Sequence, residues 1–295
     1  MIPPSRGPLW RQSGDGMTLS RWAFVATLVL TLATLAFPLA LFGSPPNLGS
    51  APMAPGFQTP ILALEFAEDI DDIAFLRGDD AAALRAWLVD VQFLDWFFPV
   101  AYAGMAAVFF LGMALRGRFL AVIGVGLALA TIPADWQENA TINGILAEIE
   151  NPLCGEDIEP ADGRDDVVLR DCLPRGYFDE ASAEAELVSY AFDTFLPVRI
   201  EMLRIDTWIK WGLIAAYAAW LAAMLWMDRR RILAIPAAVG ALSIAATWIS
   251  GSNGHVAELM GILLIPMMLT FPVAAVMYLR DKPAKTGTPT GEDSA

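Results

Sequence analysis

The chain is poor in the residues that build most soluble active sites. It has one histidine and two cysteines in 295 residues. That excludes a zinc ribbon, a haem pair and a histidine-rich metal site. There is no G-x-S-x-G elbow, no P-loop, no H-E-x-x-H helix and no dinucleotide fingerprint. Basic residues are scarce as well: 19 Lys and Arg stand against 33 Asp and Glu, for a net charge of −14. Nucleic acid is excluded as a partner, because phosphate binding needs a basic face.

What is abundant is apolar sequence. Hydrophobic residues make up 56% of the chain, against roughly 45–50% in a soluble domain. They come in blocks close to the roughly 20 residues that a membrane helix needs. Six blocks qualify: Trp22–Phe42, Phe93–Leu115, Phe119–Ala134, Thr207–Met227, Ile232–Ile249 and Val256–Leu279. The third reads on without a helix breaker to about Glu150, before Pro152. The last two are joined by the turn sequence Gly251-Ser252-Asn253-Gly254, which predicts an antiparallel hairpin. The first block is too long for a signal-peptide core and no clean A-x-A site follows, so it reads as an uncleaved anchor. The expectation is an all-α integral membrane bundle of six transmembrane helices, in a cell inner membrane, with the bilayer as its first partner.

Charge placement supplies the orientation. Arg6, Arg11 and Arg21 precede the first span, Arg116 and Arg118 follow the second, Arg229, Arg230 and Arg231 follow the fourth, and Arg280, Lys282 and Lys285 follow the sixth. With six spans all four clusters fall on one side, which the positive-inside rule makes cytoplasmic. Both termini then lie inside: residues 1–21 form a cytoplasmic tail, 22–279 the membrane domain and 280–295 a disordered cytoplasmic tail. The long acidic loops 43–92 and 148–204 lie outside, each carrying short amphipathic helices. Cys154 and Cys172 share the second loop, where an oxidising compartment permits a disulfide. In the chain-entropy model such a closure stabilises the loop by about 3 kcal/mol.

In the first outer loop, Ile61–Leu76 predicts a helix. Glu65, Glu68, Asp69 and Asp72 share one face of it, while Leu62, Phe66, Ile70 and Ile73 lie toward another. The helix would lie on the membrane or on the bundle, with a solvated acidic face as the simpler account. Asp80 is placed to cap a helix that runs on through Trp87 into the second span. In the second loop, Phe178–Phe195 predicts a short helix ended near Pro197. There too, Asp157–Gly163 only faintly resembles a calcium loop, its glycine being one place late. Trp87, Trp96, Trp136, Trp208 and Trp248 map to the outer boundary and Trp22 and Trp226 to the inner one, an aromatic belt. Gly104, Gly112, Gly124, Gly126, Gly212 and Gly240 read as helix-packing positions.

Ionisable residues at membrane depth are functional candidates by default. Asp95 sits inside the outer end of the second span, and Asp135 about 24 Å from the inner end of the third. Asp206 opens the fourth span, and His255 and Glu258 open the sixth. Asp135, Glu138 and Asn139 share a helix face, Tyr102 lies two turns deeper than Asp95, and Lys210 is one turn below Asp206 and could pair with it. The expected site is a carboxylate layer at the outer boundary, in a cleft open to the outside. It could hold a proton, or a divalent cation through oxygen ligands, although no cofactor is evident. For Asp206, His255 and Glu258 the plain helix-end account is preferred. Asp95 and the Asp135, Glu138, Asn139 group interrupt apolar helices without a capping reason.

Leu64-Glu65-Phe66, Asp95, Asp135-Trp136-Gln137-Glu138-Asn139 and Lys210-Trp211 occur in an order that resembles a group of uncharacterised bacterial polytopic membrane proteins. The likeness covers residues 22–227 and implies a shared polar cluster without assigning it a role. Three functions stay open, and with them whether the chain is an enzyme. One is a scaffold, accessory subunit or sensor whose acidic outer face meets a protein partner. The others are a small transporter or ion pathway, and a membrane-embedded enzyme acting on lipid head groups. Transport charges usually lie near the bilayer midplane, and here that depth is nearly free of them.

Overall fold

The computed structural model of the chain describes residues 14–41, 46, 52–150 and 196–281. Cys154, Cys172, the calcium-like loop and the helix expected over Phe178–Phe195 lie outside the described residues. Every regular element among the described residues is helical: α1 (Gly14–Leu41), α2 (Pro60–Glu65), α3 (Ala82–Asp95), α4 (Phe98–Leu115), α5 (Ala121–Glu150), α6 (Leu196–Met227), α7 (Arg231–Ile249) and α8 (Gly254–Arg280), with 3₁₀ turns at Ala74–Leu76 and Asp79–Ala81. Five segments are long and apolar enough to cross a membrane: Thr18–Phe37, Ala82–Leu115, Leu196–Met227, Arg231–Ile249 and Gly254–Arg280. They are compatible with a multi-pass helical membrane protein. Helix α5 has 30 residues, about 45 Å at the standard rise, but turns polar from Asp135 onward.

The six long helices close into a ring in chain order. Helix α1 packs on α4, α4 on α5, α5 on α6, α6 on α7, α7 on α8, and α8 back on α1, while α4 also touches α8 across the ring. The interior is aromatic. Phe109 and Phe110 meet Phe271 edge-on at 5.4 and 6.1 Å, Phe24 stacks on Tyr278 at 5.2 Å, and Tyr217 meets Phe271 at 6.2 Å. The outer surface stays apolar, with Leu32, Val122, Leu242 and Ile262 each more than half exposed. In water such a continuous apolar surface would drive association; in lipid it is solvated. Trp22, Trp226 and Trp248 are also exposed on it.

Small residues decide how closely the helices approach. A Cβ on Gly124 would sit 2.6 Å from the Phe110 ring, on Gly112 2.9 Å from Phe24, and on Gly240 2.7 Å from Met267. Gly126 and Gly212 face open space, and Gly104 makes only an ordinary 3.7 Å approach to Leu30. The sequence pattern therefore overcounted the packing glycines: composition does not reveal which face of a helix is turned inward.

One end of the ring is covered by residues 52–81, here called the cap. Its Leu64, Ile73, Phe75 and Leu76 form a second apolar core with α3, the far half of α5 (Ile142, Ile145, Leu146) and the first turns of α6 (Leu196, Ile200, Leu203). The helix expected over Ile61–Leu76 is broken. It stops at Glu65, and the chain turns because Asp69 and Asp72 bond backbone instead of continuing a helix: Asp72 Oδ2 accepts from Glu68 N at 2.9 Å and Asp69 Oδ1 from Asp71 N at 2.9 Å. Arg85 of α3 holds the next stretch by donating to the carbonyls of Leu76 and Gly78 at 2.9 and 2.8 Å.

Two further boundaries differ from expectation. Helix α3 begins from the 3₁₀ turn with Ala81, not Asp80, at the N-cap, and it does not run straight into α4. Pro99 in the first turn of α4 has no N–H to offer the Asp95 carbonyl, so the helix breaks at Trp96-Phe97. Pro197, expected near a helix end, is itself helical within the described part of α6. At the other end, the Gly251–Gly254 turn joins α7 to α8, and the Asn253 side chain accepts from Val256 N to cap α8.

Candidate functional site

Beneath the cap, at the loop end of the ring, lies a cluster of buried polar side chains. Glu65 comes from α2, Asp95 from the end of α3, Tyr102 from α4, Asp135, Glu138 and Asn139 from α5, and Thr207, Lys210 and Tyr217 from α6. None of them is more than 7% exposed. The α5 trio faces inward because its spacing puts all three on one side, while Trp136 and Gln137 face out.

Lys210 is the centre. Its Nζ donates to Glu138 Oε2 in a short contact and lies 3.2 Å from Glu65 Oε2, in ion-pair range. Its ammonium also lies 4.9 Å from the ring centroid of Trp211. Thr207, one turn before it, donates to the other oxygen of Glu138 at 2.6 Å. Tyr102 donates to Asp135 Oδ2 at 2.5 Å. Asp95 is an electrostatic neighbour of Asp135, Lys210 and Glu65, with Asn139 beside it. Polar capacity is left over: Asp135 Oδ1, both amide atoms of Asn139 and of Gln92, the Tyr217 hydroxyl and the Trp211 indole N–H are buried without a hydrogen-bond partner.

Four carboxylates thus share one ammonium in a region nearly closed to solvent. A buried charge is tolerated only when paired, so the surplus must be met by protons or a small cation. Among the described residues, no group of three His, Cys, Asp or Glu side chains is arranged to hold a metal ion.

The structure brings Asp95, Tyr102, Asp135, Glu138, Asn139 and Lys210 together and leaves three other expected members apart. Asp206 does not pair with Lys210; it accepts from Thr141 at 2.7 Å and forms a separate link between α5 and α6. His255 is exposed at the start of α8, where a Cβ on Gly56, at φ +94, would meet its backbone nitrogen at 2.7 Å. Glu258 accepts from Gln58 N, Thr59 N and the Thr59 hydroxyl at 2.8, 2.8 and 3.1 Å, so it anchors the cap to α8. The cleft is also not open: the apolar core of the cap covers it on one side and the aromatic interior closes it on the other.

Glu65 was the residue misplaced by sequence reasoning, which grouped it with the solvated Glu68, Asp69 and Asp72. The usable signal was its setting in the otherwise apolar run Ile61–Ala67. Thr207 and Tyr217 carried no signal beyond their spacing from Lys210, and Trp211 entered only through the Lys210-Trp211 motif.

Four links of different kinds join antiparallel α5 and α6: Trp220 to the Leu120 carbonyl, Lys210 and Thr207 to Glu138, Thr141 to Asp206, and Arg199 to Glu148 at 2.8 Å. The cluster is therefore held on a stiff pair of helices, with the cap as its lighter wall. No protein-family model matches the chain, and neither a curated protein nor a solved structure is significantly similar to it.

Proposed function

We propose that the chain is a six-span protein of a bacterial inner membrane, with both termini in the cytoplasm, acting as a proton-responsive sensor or accessory subunit whose acidic outer cap meets a protein partner. Counting α5 as the sixth span is supported by its first half, where Val122, Ile123 and Leu129 are 59%, 48% and 50% exposed on the ring's apolar exterior. The orientation is supported by the convergence of Arg116, Arg118 and Arg230 at the end of the ring away from the cap.

The observation that carries the reading is the position of Lys210 between Glu138 of the bundle and Glu65 of the cap. A single ammonium bridges a stiff wall and a light one. Adding protons to the carboxylates removes the attraction that holds Glu65 against Lys210, and the cap loses its polar link to the cluster. The charged and titratable groups facing that bridge are Asp95, Tyr102, Asp135 and Tyr217. The rest of the cap's hold comes from its apolar core, Glu258 and Arg85, so protonation loosens the cap rather than unfolding the ring.

Hydrogen exchange on the full chain in lipid nanodiscs tests this. Residues 60–76 should exchange faster as the pH is lowered from neutral, after correction for intrinsic rates. Glu65→Gln should show the fast pattern already at neutral pH. Identical protection under all three conditions would refute the reading. A second reading, a proton pathway through the ring, is favoured by the unpartnered Tyr217 hydroxyl between the cluster and the aromatic interior. It predicts acid-driven proton uptake by proteoliposomes that Tyr217→Phe abolishes.

A further inference from the structure

At the end of the ring opposite the cap, the turns α4–α5 and α6–α7 and the end of α8 enclose a cavity of about 350 Å³ lined by Arg116, Arg118, Asp228, Arg230, Tyr278 and Asp281. We propose that this cavity binds the phosphate group of an anionic phospholipid.

The charges there do not balance. Arg118 pairs with Asp228 at 2.7 Å, and Tyr278 donates to the same carboxylate at 2.6 Å. Arg230 pairs with Asp281. Arg116 is left as the third guanidinium against two carboxylates, 3.9 Å from an Asp281 oxygen already engaged by Arg230. Its Nε is buried without a hydrogen-bond partner. Its position is fixed, since the guanidinium carbon lies 5.1 Å from the Phe24 ring centroid and 5.6 Å from that of Tyr278. Gly117, at φ +87, makes the tight turn that sets Arg116 and Arg118 on the wall of one cavity. A planar, fixed guanidinium with free N–H groups is the side chain best matched to a phosphate.

The setting favours a phosphate carried by a lipid. Within two residues of the cavity lining stand Phe119, Trp226, Met227 and Ile232, exposed at 69%, 56%, 55% and 82%. They give acyl chains an apolar surface leading away from the arginines. Basic pockets between membrane helices take anionic head groups in this way.

The test uses full-length protein in neutral detergent, with phosphatidylglycerol, phosphatidylcholine and inorganic phosphate as separate probes. Phosphatidylglycerol should bind and raise the melting temperature well beyond phosphatidylcholine. Arg116→Gln and Arg118→Gln should each weaken it about fivefold, the effect of one arginine at an anionic surface. Arg204→Gln is the control, because Arg204 pairs with Glu201 near the cap end of α6, far from the cavity; it should leave binding unchanged. If Arg116→Gln proves unstable, the half-exposed Arg118 decides. Equal affinity for both lipids, unchanged binding in Arg118→Gln, or an equal loss in Arg204→Gln would overturn the proposal. Inorganic phosphate matching the stabilisation by phosphatidylglycerol would overturn the lipid as the source.

Discussion

Lys210 Nζ lies 3.2 Å from Glu65 Oε2 across the boundary between helix α6 and the cap, while the same nitrogen donates to Glu138 on α5. One side chain therefore holds together three segments that are far apart in sequence, and its replacement is the sharpest probe of the fold. Lys210→Met should destabilise the protein by about 3–5 kcal/mol, because two buried carboxylates lose their counter-charge. Adding Glu138→Gln should recover part of that loss. A thermal-melt double-mutant cycle in detergent measures it, and additive losses would contradict the pairing.

The two tyrosines of the cluster should behave differently. Tyr102→Phe removes the donor to Asp135 and should cost about 1–3 kcal/mol, the usual effect of stranding a buried acceptor. Tyr217→Phe removes a hydroxyl that bonds to nothing and should be neutral or slightly stabilising. Melting both variants side by side checks the cluster's geometry, and equal losses would contradict it.

Glu258→Gln should loosen only the cap. The carboxylate accepts three hydrogen bonds from Gln58 and Thr59, and an amide oxygen replaces them weakly. Limited proteolysis should cut near residues 52–60 faster than in the wild type, with little change in the melting temperature. His255→Ala, at an exposed side chain, should leave the cleavage pattern unchanged.

Divalent cations should have little effect. Lys210 already occupies the middle of the carboxylates, and no three of the described acidic groups are arranged to hold a metal ion. Melting curves with Mg²⁺, Ca²⁺ or chelator should superimpose for the wild type and for Glu138→Gln. A cation-dependent rise in the wild type alone would restore a metal site.

Enlarging Gly124 should disrupt the ring. A Cβ there meets the Phe110 ring at 2.6 Å, and overpacking of this kind costs about 1–3 kcal/mol. Gly126→Ala, which faces open space, serves as the matched control in the same melting assay.

The long apolar helices and the inward face of α5 were legible in the sequence, because hydropathy and 3.6-residue periodicity report local chemistry. Asp135, Glu138 and Asn139 could be put on one face, and Asp95 and Lys210 at a similar depth. What could not be read was the partner of each. Lys210 bypasses Asp206, one turn away on its own helix, for Glu65 and Glu138, a choice made by tertiary packing. The cap was misread for a related reason. The acidic residues from Glu65 to Asp72 fit a helical face by spacing, but Asp69 and Asp72 bond the backbone locally and end the helix first. Pro99 shows the same limit, since a proline opens a helix as readily as it ends one.

Because each helix packs beside its neighbour in chain order, every member of the polar cluster is contributed before residue 218. During synthesis the carboxylates and their lysine can be matched while α7 and α8 are still being made. The final hairpin then arrives as a closing wall, seating Phe271 among Phe109, Phe110 and Tyr217. A chain halted after Met227 would keep its internal ion pairs but show its aromatic interior to lipid, an unfinished product that quality control could recognise by its open seam between α1 and α6.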